Sequence, residues 1–223
     1  MKASTQDRHS LFLLLSLVFF LVLVHPLDEY GRIGEPVVLV LFSIILVAAA
    51  FELSDYQQAL RRVAVPLVAC VILVRLGAHL YPTMGPLIIA SHALSTAFFG
   101  FMSVALFAYL GRPGVITSGR LYASVSLYLI LGMFWYSVYS LIETIHAGSF
   151  VQVAPQATSV HRATLLYFSL ITLTTVGYGD VLAATPTARG FAALEAVSGV
   201  LYLAITVARL VAAYQSLSSE GLK

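Results

Sequence analysis

The run Thr174-Thr175-Val176-Gly177-Tyr178-Gly179-Asp180 holds the residues whose types and spacing are fit for chemistry. Two glycines placed two apart let the backbone enter the left-handed region at alternate positions at little steric cost. A chain that alternates between ordinary and left-handed angles turns consecutive carbonyls to one side. Such carbonyls can replace the water around a cation that must shed its hydration shell to pass. Gly177 and Gly179 are expected to supply the left-handed positions, with Val176 and Tyr178 pointing outward as props. Thr175 offers a hydroxyl as the innermost ligand, and Asp180 closes the outer end with negative charge. Among the few polar residues elsewhere there is no convergent nucleophile, acid–base or metal-ligating constellation. Nothing therefore points to an enzyme or to a bound cofactor.

One such segment cannot enclose an ion, so several copies and a rigid scaffold are needed. The composition says what the scaffold sits in. Of 223 residues 60% are hydrophobic and only 10% charged, against about 25% charged in soluble domains. The solvent for most of this surface is lipid. A net charge of +2 is too small to suggest nucleic acid. The lone Cys70 excludes an intrachain disulfide or a cysteine-based zinc site and reads as a small buried hydrophobe. Six stretches approach or exceed the length of a bilayer span: Leu11 to Leu27, Pro36 to Leu53, Val63 to Leu80, Pro86 to Leu110, Leu121 to Ile145 and Thr187 to Gln215. A seventh, Val160 to Thr175, is too short to cross and must be shielded by protein. The first stretch also has the basic start and apolar core of a signal peptide. The sequence Val24-His25-Pro26-Leu27 offers no small-x-small cleavage site, which favours a retained span.

Charges in the loops set the orientation. Lys2, Arg8, Arg61, Arg62, Arg112, Arg120 and Lys223 fall on one side, which the positive-inside rule assigns to the cytoplasm, with both termini there. Arg162 and Arg189 run against the rule. Gly and Pro clusters mark the turns, and Gly111 to Gly119 reads as a hinge between a front half, 1–111, and a back half, 112–215. Residues 216–223 form a cytoplasmic tail too short for a regulatory domain.

The seven-residue run, with an apolar near-helix before it and an apolar span after it, closely resembles the selectivity filter of the potassium channel family. The resemblance covers roughly Leu121 to Gln215. It implies an all-α membrane protein: six transmembrane helices plus a re-entrant pore helix and filter, assembled as a homotetramer in the cell membrane. It further implies that potassium ions are held by the backbone carbonyls of Thr175, Val176, Gly177 and Tyr178, with Gly179 completing the filter and Thr174 and Asp180 supporting it. Small loops and the absent cytoplasmic domain resemble the prokaryotic six-span type. A gating ligand or regulator, and the part played by membrane lipids, stay open.

In the resemblance, Leu165, Leu166, Phe168, Ile171 and Leu173 form the apolar body of the pore helix. Its negative dipole end would face the cavity and favour a cation there. Tyr167 and Phe168 stand where the family has aromatic buttresses, and a hydrogen bond from Tyr167 to Asp180 is expected; simple packing is the alternative. Ile171 stands where some members carry a pore-helix glutamate. The nearest acidic residue, Glu195, is costly in an apolar helix unless partnered. It either contacts Ser169 or Thr172 behind the filter, pairs with an arginine, or lies protonated. Gly199 falls at the family's glycine hinge, or else admits close helix packing. Val200, Leu203, Val207 and Val211 share one helix face and are expected to line the cavity and inner mouth. Arg209 lies off that stripe and reads as an interfacial anchor.

The front half matches voltage-gated channels in span count only. A sensor needs several arginines on its fourth helix, and this fourth span has none. Voltage dependence is expected to be weak or absent. Arg75 and His79, one turn apart in span three, read as a structural pair, a snorkelling residue or a functional site. Glu52 and Asp55 read as surface residues near Arg61 and Arg62, and Glu143 and His146 as solvated residues near the external mouth. Two other readings remain: a subunit of a potassium transporter, disfavoured by the single complete motif, and a modulatory membrane subunit.

Overall fold

A computed structural model describes residues 5–31, 34–54, 58–112, 117–153 and 162–220. Six helices in it are long and apolar enough to cross a membrane: α1 (Thr5–Glu29), α2 (Gly34–Ser54), α3 (Gln58–Leu80), α4 (Gly85–Leu110), α5 (Ser118–Ile145) and α7 (Pro186–Glu220). Each follows from an apolar run bounded by turn residues, with Pro86 in the first turn of α4, where a missing N–H costs nothing. The chain is membrane-embedded. The shorter α6 (Arg162–Leu173) has 12 residues. At about 1.5 Å each they reach about 18 Å, well under the roughly 30 Å hydrocarbon core.

The first four helices pack consecutively, and the bundle closes on α5, which lies against both α1 and α4. Asp7 of α1 accepts a hydrogen bond from the Gly119 amide at the start of α5, 2.8 Å. This satisfies an orphan donor and places negative charge at a helix N-terminus. At the other end His25 meets the Tyr167 ring edge-on, 6.2 Å between centroids, so α1 runs parallel to α5. Front and back halves thus share a broad contact. The expected hinge at Gly111 to Gly119 lies in part outside the described residues. The front core is aromatic: Phe42 meets Phe20 and Phe99, and Phe99 meets Phe98.

The fold is not wholly helical. Strands β1 (Phe150–Gln152) and β2 (Val181–Ala183) pair antiparallel, with Phe150 opposite Ala183. One precedes α6 and the other follows residues 174–180, so the ribbon brackets that unit. Glu143 organises the turn before it, accepting from the amides of Gly148 (2.8 Å) and Phe150 (3.0 Å); it is a structural residue rather than a merely solvated one.

Two further expectations are corrected. Glu52 is fully buried, not superficial, and accepts from Ser10, 2.6 Å; α1 covers the end of α2 that the sequence left open. Asp55 lies outside the described residues. Cys70 is exposed rather than buried, because α3 turns its Ala64, Val68 and Val71 face inward. Arg75 sets its guanidinium 3.8 Å from the Phe42 ring centroid, a cation–π contact that shelters the charge. His79 lies 3.5 Å from Glu35.

Candidate functional site

The site begins where α6 ends. The last carbonyls of a helix lack partners, and here the following residues turn back to supply them. The Thr175 amide donates to Thr172 O (2.9 Å). The amides of Val176 (2.9 Å) and Gly177 (3.2 Å) both donate to Ile171 O. The Thr174 hydroxyl donates to Leu170 O, 2.7 Å. Beyond this anchor, φ is +59° at Thr175, +50° at Gly177 and +79° at Gly179. The left-handed positions therefore recur every second residue. The two glycines were expected there. Thr175 was not, since a β-branched residue at positive φ is an outlier. A Cβ on Gly177 or Gly179 would meet nothing within 4 Å, so glycine is demanded by backbone angle and not by space.

Asp180 is held from three directions. Its carboxylate accepts from the Tyr167 hydroxyl (2.9 Å) and from the Val181 amide (3.1 Å), and its carbonyl accepts from the Val153 amide (2.8 Å). The bond expected between Tyr167 and Asp180 is present, and the Tyr167 ring lies parallel to Tyr178, 6.5 Å between centroids. Phe168 turns the other way. It is buried against Tyr139 and Phe150, so within the chain it packs α6 on α5 and β1. Val176 and Tyr178 are 53% and 73% exposed in the single chain.

Behind α6 lies a buried polar network. Glu195 is fully buried and accepts from the Ser169 hydroxyl (2.5 Å) and from the Tyr139 hydroxyl. Ser169 also contacts Gly132 O at 2.8 Å. Of the contacts open to Glu195, the one with Ser169 is present. One turn on, Gly199 is buried, and a Cβ there would fall 2.0 Å from Leu173 O. The position admits no side chain, and α7 runs unbroken through it. Trp135 donates to Ser198 (3.1 Å), Tyr128 to Leu173 O (3.2 Å) and Tyr202 to Ser124 O (2.5 Å). Sequence reasoning missed Tyr128, Trp135 and Tyr139; their recurrence on one face of α5, seven and four residues apart, was the available signal. Val200, Leu203 and Val207 are exposed, and the side chain of Val211 lies outside the described residues.

No curated protein and no solved structure matches the chain. Residues 123–216, which run from α5 through α6 and the 174–180 segment into α7, match the family model described as ion channel, and it is to that family that the stretch carrying the site is similar.

Proposed function

We propose that this chain is one subunit of a potassium-selective channel in which four copies surround an axis lined by residues 174–180. The observation that carries the reading is the recurrence of left-handed backbone at Thr175, Gly177 and Gly179. This alternation turns consecutive carbonyls to one side, as a ladder that replaces an ion's hydration shell requires. The carbonyls of Thr175, Val176, Gly177 and Tyr178 are the proposed ligands, with the Thr175 hydroxyl innermost. In this reading α6 is the re-entrant pore helix, its dipole aimed at the cavity, and α7 is the inner helix. The large exposure of Tyr178 and Val176 supports covering by neighbouring copies, since apolar props need something to press against. Thr174, Tyr167 and Asp180 hold the segment directly; Phe168 and Glu195 act through the packing of α6.

Potassium then moves passively down its gradient, and no chemical step or resident cofactor is involved. Val200, Leu203, Val207 and Val211 are proposed to line the cavity, with both termini in the cytoplasm. The test is potassium efflux from protein-loaded liposomes, with sodium and Gly177→Ala as controls. Potassium efflux with little sodium efflux, lost in the variant, is expected. Equal efflux of both ions from the unaltered protein contradicts the reading.

A further inference from the structure

Three arginines meet around the last turn of α4. Arg209 of α7 sets its guanidinium 5.5 Å from the Phe107 ring centroid, with Nη1 3.4 Å from where a Cβ on Gly111 would stand. Arg120 of α5 donates to the carbonyl of Arg112, 3.0 Å, and lies 5.4 Å from the Tyr109 ring centroid. Arg112 itself is exposed, and among the described residues no hydrogen bond or ion pair engages its guanidinium. The carbonyl end of α4 offsets part of this charge. Asp7, bonded to the Gly119 amide, is the nearby carboxylate. Beside the cluster runs an open groove of about 190 Å³ between α3 and α4, lined by Leu60, Phe101, Val104, Ala108, Tyr109 and Arg112. Apart from Arg112 and the Tyr109 hydroxyl the lining is apolar.

We infer that this groove is a binding site for an anionic phospholipid. One acyl chain lies between α3 and α4, and the phosphate sits on Arg112 at the end of the groove, with Arg209 across the last turn of α4 adding positive charge nearby. An apolar trough in a membrane-embedded surface takes hydrocarbon without cost, and charge complementarity at its end selects a negative headgroup over a zwitterionic one. The lipid would join the end of α4 to the lower part of α7, two helices otherwise linked there through Arg209. The site does not depend on the potassium reading, because binding is measured without conduction.

The test is native mass spectrometry of the full chain in neutral detergent, titrated with phosphatidylglycerol or phosphatidylcholine. Phosphatidylglycerol is expected to bind about tenfold more tightly. Arg112→Ala should weaken it by about fivefold, the effect of losing one arginine near a headgroup; Ala108→Trp, which fills the groove and keeps the charge, should weaken it as well by excluding the acyl chain. Phosphatidylcholine binding should be unchanged in Arg112→Ala. Should Ala108→Trp not fold, Arg209→Ala takes its place, with the same expectation. Equal binding of the two lipids, or both variants at the wild-type affinity, overturns the site and leaves only unspecific annular lipid. Displacement of phosphatidylglycerol by millimolar inorganic phosphate overturns it in favour of a simple anion site. A changed subunit number in Ala108→Trp overturns it in favour of a contact between copies.

Discussion

At the scale of single residues, the proposed site is set by backbone angle. Gly177 and Gly179 have open space where a side chain would go, so alanine there disturbs no packing within the chain. It meets the left-handed strain of about 1–2 kcal/mol per residue. Gly177→Ala and Gly179→Ala are therefore expected to leave the helical circular dichroism unchanged while potassium flux falls by about tenfold or more; unaltered flux would show that the angle does not matter. Tyr167→Phe removes the bond to Asp180 and is expected to hasten loss of current during sustained opening, read by patch clamp of reconstituted protein. The glycines were legible because glycine has few other reasons to recur in this way. The positive φ of Thr175 was not, since it follows from the amides behind it turning back to Ile171. Glu52 and Glu195 were ambiguous for a different reason. Their partners come from Ser10, and from Ser169 and Tyr139, which only the folded chain brings near.

Among the elements, α7 shows where the back half is fixed and where it is free. Its residues Ala188, Glu195, Gly199 and Tyr202 are buried against the rest of the chain. From Leu203 to Arg209 no described side chain is buried. In the proposed channel a bend of α7 is therefore expected below Tyr202, where the helix is free of the rest of the chain, and the close packing of Gly199 is set against a hinge there by experiment. Gly199→Ala would push a Cβ against Leu173 O and is expected to lower stability by the about 1–3 kcal/mol of an overpacked contact, as thermal unfolding in detergent can measure. A pure hinge residue would change open probability with no loss of stability. Glu195→Ala leaves the Tyr139 hydroxyl without its acceptor, whereas Ser169 keeps Gly132 O. A loss of about 1–3 kcal/mol is expected, with Glu195→Gln milder because it retains an acceptor. The spanning helices were legible from hydropathy to within a few residues at most ends, since a bilayer fixes both their length and their character. The ribbon of β1 and β2 was not, because three-residue strands carry no periodicity.

At the scale of the whole molecule, the proposed conduction needs more than one chain. A single 174–180 segment has no opposite wall, and exposed Tyr178, Val176, Leu194 and Val197 form surfaces suited to neighbouring copies. The front half closes on α5 of its own chain and carries no Lys, Arg, Asp or Glu in α4. Moving charge through the membrane field supplies about 2.3 kcal/mol per charge per 100 mV; without it, open probability is expected to change little across a voltage ramp, and a steep activation curve would contradict this. Span number and the uncharged fourth helix were legible in the sequence, while the way the bundle embraces α5 depends on side-chain shape and was not. Whether four copies strip and pass potassium in preference to sodium is read from the reversal potential with potassium on one side of a planar bilayer and sodium on the other. A displacement toward the potassium equilibrium potential of about 59 mV for each tenfold preference is expected. A reversal at zero, from protein with an intact Gly177–Gly179 segment, would contradict it.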